Sequence, residues 1–403
     1  MKYKKSIALL TSFILMFNLS ACGKNETEET VATTTAATTT AATTTEATTT
    51  TEEETTTTTT ELVNGLYDPS NPMAVNPVSG LQDMNPENVG YRSVAIVVNN
   101  CYNAMSQRGI SQADAIYEYQ TEGGQTRLLC VFADVNEVPE IGSLRSARIM
   151  STDLAAGNNS IFIHYGRNAR VPDHISAWGI DHIDGNNCSS GSNNSANGEV
   201  VLPTGLFFWR DSVWLSQRAL EHTAVSDGAH ISEGIDYFNI ERTGETPLLF
   251  NYVPDNSEDI ANSTLTCENL NVYFSPTNDD ALFEYDAELN GYYKSQYGSA
   301  QLDETTGEQL FVNNVVVIYA RITGHGDGTV DAYLEEGGEG YYFNSGKYIH
   351  LTWTKDSPND LIVLYNDAGE EVQVNRGITY ICVVDNDEFK KISVDDVKIN
   401  DAE

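Results

Sequence analysis

The sequence is poor in basic residues and in cysteine. It contains 22 Lys+Arg against 58 Asp+Glu, a formal net charge of −36 at pH 7 over 403 residues. A negative field of this size repels nucleic acid, which argues against direct nucleic-acid binding. The six cysteines are widely spaced and form no CxxC pair. This pattern fits neither a zinc framework nor a small domain held together by disulfides.

Familiar catalytic motifs are also missing. The sequence contains no Walker loop, Rossmann fingerprint, EF-hand loop or HExxH spacing, and no Ser-His-Asp order. No catalytic residue, metal site or cofactor is therefore assigned, and the question of enzymatic activity stays open.

The N-terminus carries the clearest local signal. Lys2, Lys4 and Lys5 precede an apolar run over residues 7–19, which is shorter than the roughly 20 residues that span a bilayer. The run ends in Leu-Ser-Ala-Cys at Cys22, which resembles the bacterial lipobox, where the cysteine thiol is linked to lipid. We expect residues 1–22 to be a lipoprotein signal peptide. We also expect Cys22 to carry fatty acyl chains such as palmitate and to anchor the protein on the outer, extracellular face of the cell membrane.

Residues 23–75 begin with a segment built almost wholly from Thr, Ala and Glu. Such a composition cannot bury enough apolar surface to offset the entropy of ordering the chain. We predict a disordered tether that lifts the folded part away from the membrane.

Two folded regions follow, and they differ in pattern. Residues 76–250 mix apolar strand-like runs with helical segments, which indicates an α/β or α+β domain. Residues 265–387 contain short strand candidates separated by turn signals, which predicts a smaller all-β domain. Residues 388–403 are predicted to be a polar tail. The strand candidates are residues 93–98, 128–132, 161–164, 270–274, 282–285, 315–320, 347–353, 361–365 and 379–384, and the helical candidates are 145–156 and 211–221.

Three arginines surround one predicted strand–turn unit. Arg127 opens the strand after Gly123 and Gly124, and Arg145 and Arg148 follow the next turn. Arginine is suited to bidentate recognition of carboxylate or phosphate. A hairpin-like return would bring all three to one end of the sheet, where they could form an anion-binding pocket. An equally weighted interpretation is that they form structural ion pairs with Glu118, Glu122 or Asp153.

Two histidines are further ligand-binding candidates. His164 ends a predicted strand, the usual place for a site in an α/β sheet, and Arg210 and His222 form a second polar group. Either histidine could act as a general base near pH 7, although a lone histidine is more often a hydrogen-bonded structural residue.

The same motifs resemble a family of bacterial lipoproteins of the YerB type, whose domains have no settled activity. The resemblance spans about residues 76–385 and implies a membrane-anchored, extracellular protein. Two positions depart from the family pattern: His222 lies in Glu-His-Thr rather than Pro-His-Asn, and Lys294 replaces the usual arginine. The motifs that carry the resemblance are NPVSGL at 76–81, RSVAI at 92–96, EGGQTRLLCVF at 122–132, IGSLRSAR at 141–148, HYGR at 164–167, and GYYFNSGKYIHLTW at 340–353 with Lys355.

The order Thr126-Arg127, strand, turn and Arg145 is also similar to the core of LytR-CpsA-Psr wall-polymer ligases, although Ser146 stands where that family has Asp. Three functions therefore remain. The leading one is a lipoprotein that binds an anionic envelope ligand. The second is a phosphoryl or glycosyl-phosphoryl transferase on lipid-linked wall precursors, with a divalent metal near Glu118, Glu122 or Asp153. The third is an adaptor that docks a surface protein; the oligomeric state stays open.

Overall fold

A computed structural model describes residues 65–187, 207–278 and 280–399. The predicted signal peptide, Cys22 and the Thr-rich part of the predicted tether lie outside these residues. In the described part of the chain, no helix is long and apolar enough to cross a membrane.

The secondary structure is dominated by strands. Within the described ranges the strands are β1 (Val94–Asn99), β2 (Ala115–Gln120), β3 (Thr126–Phe132), β4 (Ile141–Gly142), β5 (Ile161–His164), β6 (His182–Asp184), β7 (Trp209–Arg210), β8 (Ala224–Ser226), β9 (Asn251–Val253), β10 (Asn269–Val272), β11 (Ala281–Asp286), β12 (Gly291–Gln296), β13 (Ser299–Ala300), β14 (Phe311–Val312), β15 (Asn314–Ala320), β16 (Ile322–Gly324), β17 (Val330–Ala332), β18 (Gly338–Asn344), β19 (Lys347–Thr354), β20 (Val363–Tyr365), β21 (Gln373–Asn375), β22 (Thr379–Asp385), β23 (Ser393–Val394) and β24 (Val397–Lys398).

Helices are few and short in the same ranges. The α-helices are α1 (Ile149–Gly157), α2 (Val171–Trp178), α3 (Ser212–Gln217), α4 (Gly228–Tyr237) and α5 (Glu258–Asn262). Single-turn and short 3-10 helices are Pro86–Asn88, Tyr102–Ala104, Ile110–Gln112, Glu122–Gly124, Val135–Glu137, Leu220–His222, Leu334–Glu336 and Asn386–Lys391.

A ten-stranded sheet organises the fold, in the order β20-β19-β18-β15-β22-β2-β3-β1-β5-β6. Its strands are apolar on both faces because both faces are covered. Along β1, Val94, Ile96 and Val98 belong on one side to a hydrophobic cluster that also contains residues of a second sheet, built from β10–β14, β23 and β24. Ala95 and Val97 pack on the opposite side, with the hydrophobic residues of α1 and α2.

The predicted fold class is confirmed: the N-terminal region mixes helices and strands, and the C-terminal region is mostly strands. The sequence pattern did not indicate that the two regions share one sheet. Five strands from each region meet where β22 pairs in parallel with both β2 and β15. Buried polar and apolar side chains of both regions therefore lie in one interior at this junction.

Two predicted boundaries differ from the structure. The tether was expected to continue to residue 75, yet Leu66 is buried in the core and Ala74 forms a β-bridge with Met84. The polar tail was expected from residue 388, yet β23 and β24 extend the second sheet and Ile392 is buried. In both places a few apolar side chains find partners that are far away in the sequence, which composition alone does not reveal.

Candidate functional site

A cleft of about 950 Å³ opens at one end of the central sheet. Strands β1, β5 and β6 are mutually parallel, and the segments that follow β5 and β6 form two of its walls. The carboxyl ends of parallel strands are the usual position for a ligand site in an α/β sheet. The residues that line the cleft are Leu144, Arg145, Ser146, Tyr165, Gly166, Arg167, Asn168, Ala169, Pro172, Asp184, Asn186, Arg210 and Glu221.

No residue that the structure describes pairs with the charge of Arg145. Its backbone is fixed, because its N–H donates to Val97 O at 3.0 Å and its carbonyl accepts from Tyr165 N at 3.0 Å. Its guanidinium lines the cleft and forms no ion pair or hydrogen bond with any residue that the structure describes. Because a half-buried cation without a partner in the protein is costly, this group is suited to a ligand.

Two further donors lie in the cleft. The Arg210 guanidinium stacks on the Tyr165 ring, 4.4 Å from its centroid, and donates to Leu220 O at 2.5 Å. Asn168 Oδ1 caps the start of α2 by accepting from Val171 N at 3.2 Å. The buried Asn168 Nδ2 has no acceptor among the described residues. Arg145 and Asn168 Nδ2, which have no acceptor among the described residues, favour an anionic oxygen ligand.

The negative charges of the cleft are partly engaged. Asp184 pairs with Arg167 and also accepts from Gly166 N at 2.7 Å and Asn186 N at 3.0 Å. This arrangement fixes the loop after β5 against the loop after β6. Glu221 is the second carboxylate that lines the cleft. The cleft therefore carries three arginines against two carboxylates in a strongly acidic chain.

Arg127 and Arg148 come close to Arg145, as the hairpin-like return predicts, but a carboxylate holds both. Arg148 forms a bidentate pair with Glu122, and Arg127 lies 3.4 Å from the same carboxylate and donates to Ser146 O. Burial and the neighbouring Arg148 charge lower the pKa of Arg127 to about 10. Although burial opposes it, the hydrogen bond from Arg148 helps to hold the pKa of Glu122 below its ordinary value. Arg127 and Arg148 therefore form the structural ion pairs of the second interpretation, whereas an anion-binding role for Arg145 stays a prediction.

Glu118 lies in the interior between the two regions, away from the cleft. Its side chain is fully buried, and Lys294 Nζ lies 3.9 Å from its carboxylate. Tyr380 OH donates to it at 2.7 Å, and Asn100 and Asn278 donate at 2.8 and 3.0 Å. Residues from both regions thus complete one buried polar network. This geometry assigns Glu118 a structural contact rather than a position in the cleft.

His164 ends its strand as predicted, but its ring points into the interior. It is fully buried, and its Nε2 lies 2.9 Å from Nδ1 of His182. Burial, with the nearby His164, lowers the pKa of His182 to about 4. The adjacent residues Tyr165 and Arg167, rather than His164, face the cleft.

His222 lies beside the cleft, next to the lining residue Glu221. Its Nδ1 is 2.8 Å from Asn99 Nδ2, and only 6 % of the residue is exposed. Burial and the positive charge of Arg145 lower the pKa of His222. A histidine held neutral in this way supports the loop structurally and would add no charge to an anion site at pH 7.

The carboxylates expected to hold a metal under the transferase hypothesis are separated. Glu118 contacts Lys294, Glu122 contacts two arginines, and Asp153 contacts His174 Nε2 at 2.5 Å. Among the described residues, no three His, Cys, Asp or Glu side chains form a group that could hold a metal ion.

Sequence reasoning missed Arg167, Asn168 and Tyr165 as members of the site. The motif at residues 164–167 marks the end of the strand, but residue type favours its histidine as the functional residue. The end of a parallel strand is the usual position of a ligand site, and this rule points equally to the residues that follow His164.

Comparison of the chain with known protein families shows to which family it belongs. Residues 78–241 match the N-terminal domain, and residues 270–381 the C-terminal domain, of the family described as "Protein of unknown function (DUF3048)". The chain belongs to this family.

The chain is also similar to one particular protein. The chain is 29 % identical over 308 residues to "Putative lipoprotein YerB" of Bacillus subtilis (strain 168), covering 75 % of this chain and 84 % of the relative. The crystal structure of the YerB protein from Bacillus subtilis is similar, with a TM-score of 0.65 and 27 % identity. That match covers 79 % of this chain and 98 % of the solved chain. The resemblance stated from the motifs is confirmed.

Proposed function

We propose that the protein is a lipoprotein, anchored through Cys22 to the outer face of the membrane, whose cleft binds an anionic ligand of the cell envelope. The lipobox-like end of the apolar run and the name of the Bacillus relative support the anchor. The observation that carries the ligand proposal is the Arg145 guanidinium, which lines the cleft without an acceptor among the described residues.

The chemistry of the cleft narrows the ligand class to phosphate or carboxylate groups. Arg145, Arg210 and Asn168 Nδ2 are all hydrogen-bond donors, and charge-assisted bonds to an anion are about twice as strong as neutral ones. The net negative charge of the chain repels anions. The affinity for an anionic ligand must therefore come from the donors that line the cleft.

The test compares Arg145→Ala with wild type, using the full-length protein in detergent and inorganic phosphate, pyrophosphate and citrate as probes. Wild type should bind at least one probe saturably in calorimetry. Arg145→Ala should weaken that binding by about 10- to 100-fold, since a hydrogen bond to a charged group contributes about 1.5–3 kcal/mol. The melting temperature without probe should stay nearly unchanged, because the Arg145 side chain has no partner to lose among the described residues.

The matched control is Arg376→Ala, which removes an arginine paired with Asp255 at 3.1 Å on the exposed surface. This variant should bind the probes as wild type does. The proposal is wrong if no probe binds to wild type, or if Arg145→Ala binds the probes unchanged.

A further inference from the structure

A second cleft, of about 580 Å³, lies between the two regions of the fold. The segment around Tyr102 forms one wall, Gln217 and Arg218 form another, and the chain from Gln296 to Leu302 forms the third. Its volume falls in the roughly 300–1,000 Å³ range of ligand sites, which occur preferentially where domains meet.

The lining of this cleft contains one charged residue. None of its lining residues is an Asp or a Glu, although the chain contains 58 of them. Arg218 is the charged lining residue, and its guanidinium is already engaged. It donates to Ala104 O at 3.0 Å and Ser106 O at 3.1 Å, pairs with Glu304 at 3.3 Å, and stacks on Trp214. This lining favours an uncharged ligand, in contrast to the Arg145 cleft.

An exposed aromatic ring stands at the edge of the cleft. Tyr102 is 70 % exposed, and its ring meets the edge of Tyr297 at a centroid distance of 5.6 Å. Tyr297 is fixed because its hydroxyl donates to Asn100 O at 2.9 Å. The pair presents an apolar face beside polar groups, and a tyrosine ring of this kind packs on apolar surface at low entropic cost.

Amides supply both donors and acceptors in the same cleft. Gln301 is 1 % exposed, and its Nε2 donates to Asn100 Oδ1 at 3.0 Å. Its Oε1 has no donor among the described residues. Asn103 and Gln217 add exposed amides. A buried acceptor left without a donor in the protein needs an explanation, and a ligand hydroxyl would satisfy it.

We propose that this second cleft binds an uncharged oligosaccharide. Sugar rings have apolar faces that stack on aromatic side chains, and their hydroxyls both donate and accept hydrogen bonds, as amide side chains do. The proposal is independent of the anion site, because the two clefts share no lining residue.

The test measures binding of chitotetraose and maltotetraose to the full-length protein by calorimetry, with N-acetylglucosamine and glucose as single-ring comparisons. Wild type should bind at least one tetrasaccharide saturably. Wild type should bind the tetrasaccharide more tightly than the single ring. Equal affinity would overturn the assignment to an oligosaccharide, because a single sugar would then fill the site. Tyr102→Ala should weaken binding by about tenfold or more, as expected for an anchoring aromatic side chain. Tyr102→Phe, which keeps the ring, should restore most of the affinity.

The matched control is Tyr237→Ala, which removes a 54 % exposed ring that does not line the cleft. It should bind as wild type does, and so should Arg145→Ala. The proposal is overturned if wild type binds neither tetrasaccharide, or if Tyr102→Ala binds with wild-type affinity. It is also overturned if Arg145→Ala abolishes sugar binding, because the sugar would then occupy the first cleft.

Discussion

The buried pair of Glu118 and Lys294 offers a direct test of the junction between the two regions. Both side chains are fully buried, and their charges lie 3.9 Å apart. Burial lowers the pKa of Lys294, although the charge of Glu118 opposes this shift. We expect Lys294→Met to destabilise the protein strongly, because it leaves the carboxylate buried without a positive charge.

The magnitude follows from the geometry. Two unit charges at this distance interact by about 4 kcal/mol at an effective dielectric constant of about 20. Removal of one partner of a buried pair typically costs about 3–5 kcal/mol. The unfolding entropy is about 2.1 cal/mol/K per residue. For the folded part of this chain, the loss of stability should therefore lower the melting temperature by about 4–7 °C.

The assay is thermal and chemical unfolding of the single variants and of Glu118→Gln/Lys294→Met. The double variant should recover most of the loss, because no uncompensated charge stays buried. Lys390→Met, at an exposed lysine, is the control and should leave the melting temperature unchanged. The reasoning is refuted if Lys294→Met is as stable as wild type, or if the double variant is less stable than the single one.

Two further outcomes are expected. Cys22→Ala should move the protein from the membrane fraction to the medium or leave an unprocessed precursor, and a wild-type protein that a fatty-acid analogue fails to label would contradict the anchor. His182, with a pKa lowered to about 4, binds its proton less readily in the folded state than in the unfolded chain, where the pKa is about 6.5. The stability that neutral His182 contributes is therefore complete above about pH 6.5 and is lost as the pH falls towards 4. NMR titration of the ring and unfolding of His182→Phe would measure this loss. A ring that titrates near pH 6.5 would disprove the expectation.

The local pattern predicted strands well where each strand is buried on both faces. Residues 93–98 and 161–164 were expected to be strands, and they form β1 and β5. A continuous apolar run needs cover on both sides wherever it lies, so its conformation can be read without knowledge of its neighbours. Cys130 and Cys382 lie in two further runs of this kind, on β3 and β22, and both are fully buried.

The residues that line the candidate cleft were predicted only in part, because residue type alone does not show which side chains face it. The three arginines do approach one another, since strand and turn place them there. Their chemical difference arises from Glu122, which pairs with Arg148 across 26 positions and leaves Arg145 to the cleft. No local pattern indicates which of three equivalent arginines a carboxylate will hold.

The sequence by itself determined the lipobox-like N-terminus, the acidic charge, the strand-rich class and the family. The tertiary structure alone decided that Glu118 pairs with Lys294 and accepts a hydrogen bond from Tyr380, both more than 170 positions away in the chain. It also decided that β22 joins the two regions into one sheet. The physical reason is that periodicity and composition are properties of short segments, whereas the pairing of charges and strand edges depends on which distant segments the folded chain brings into contact.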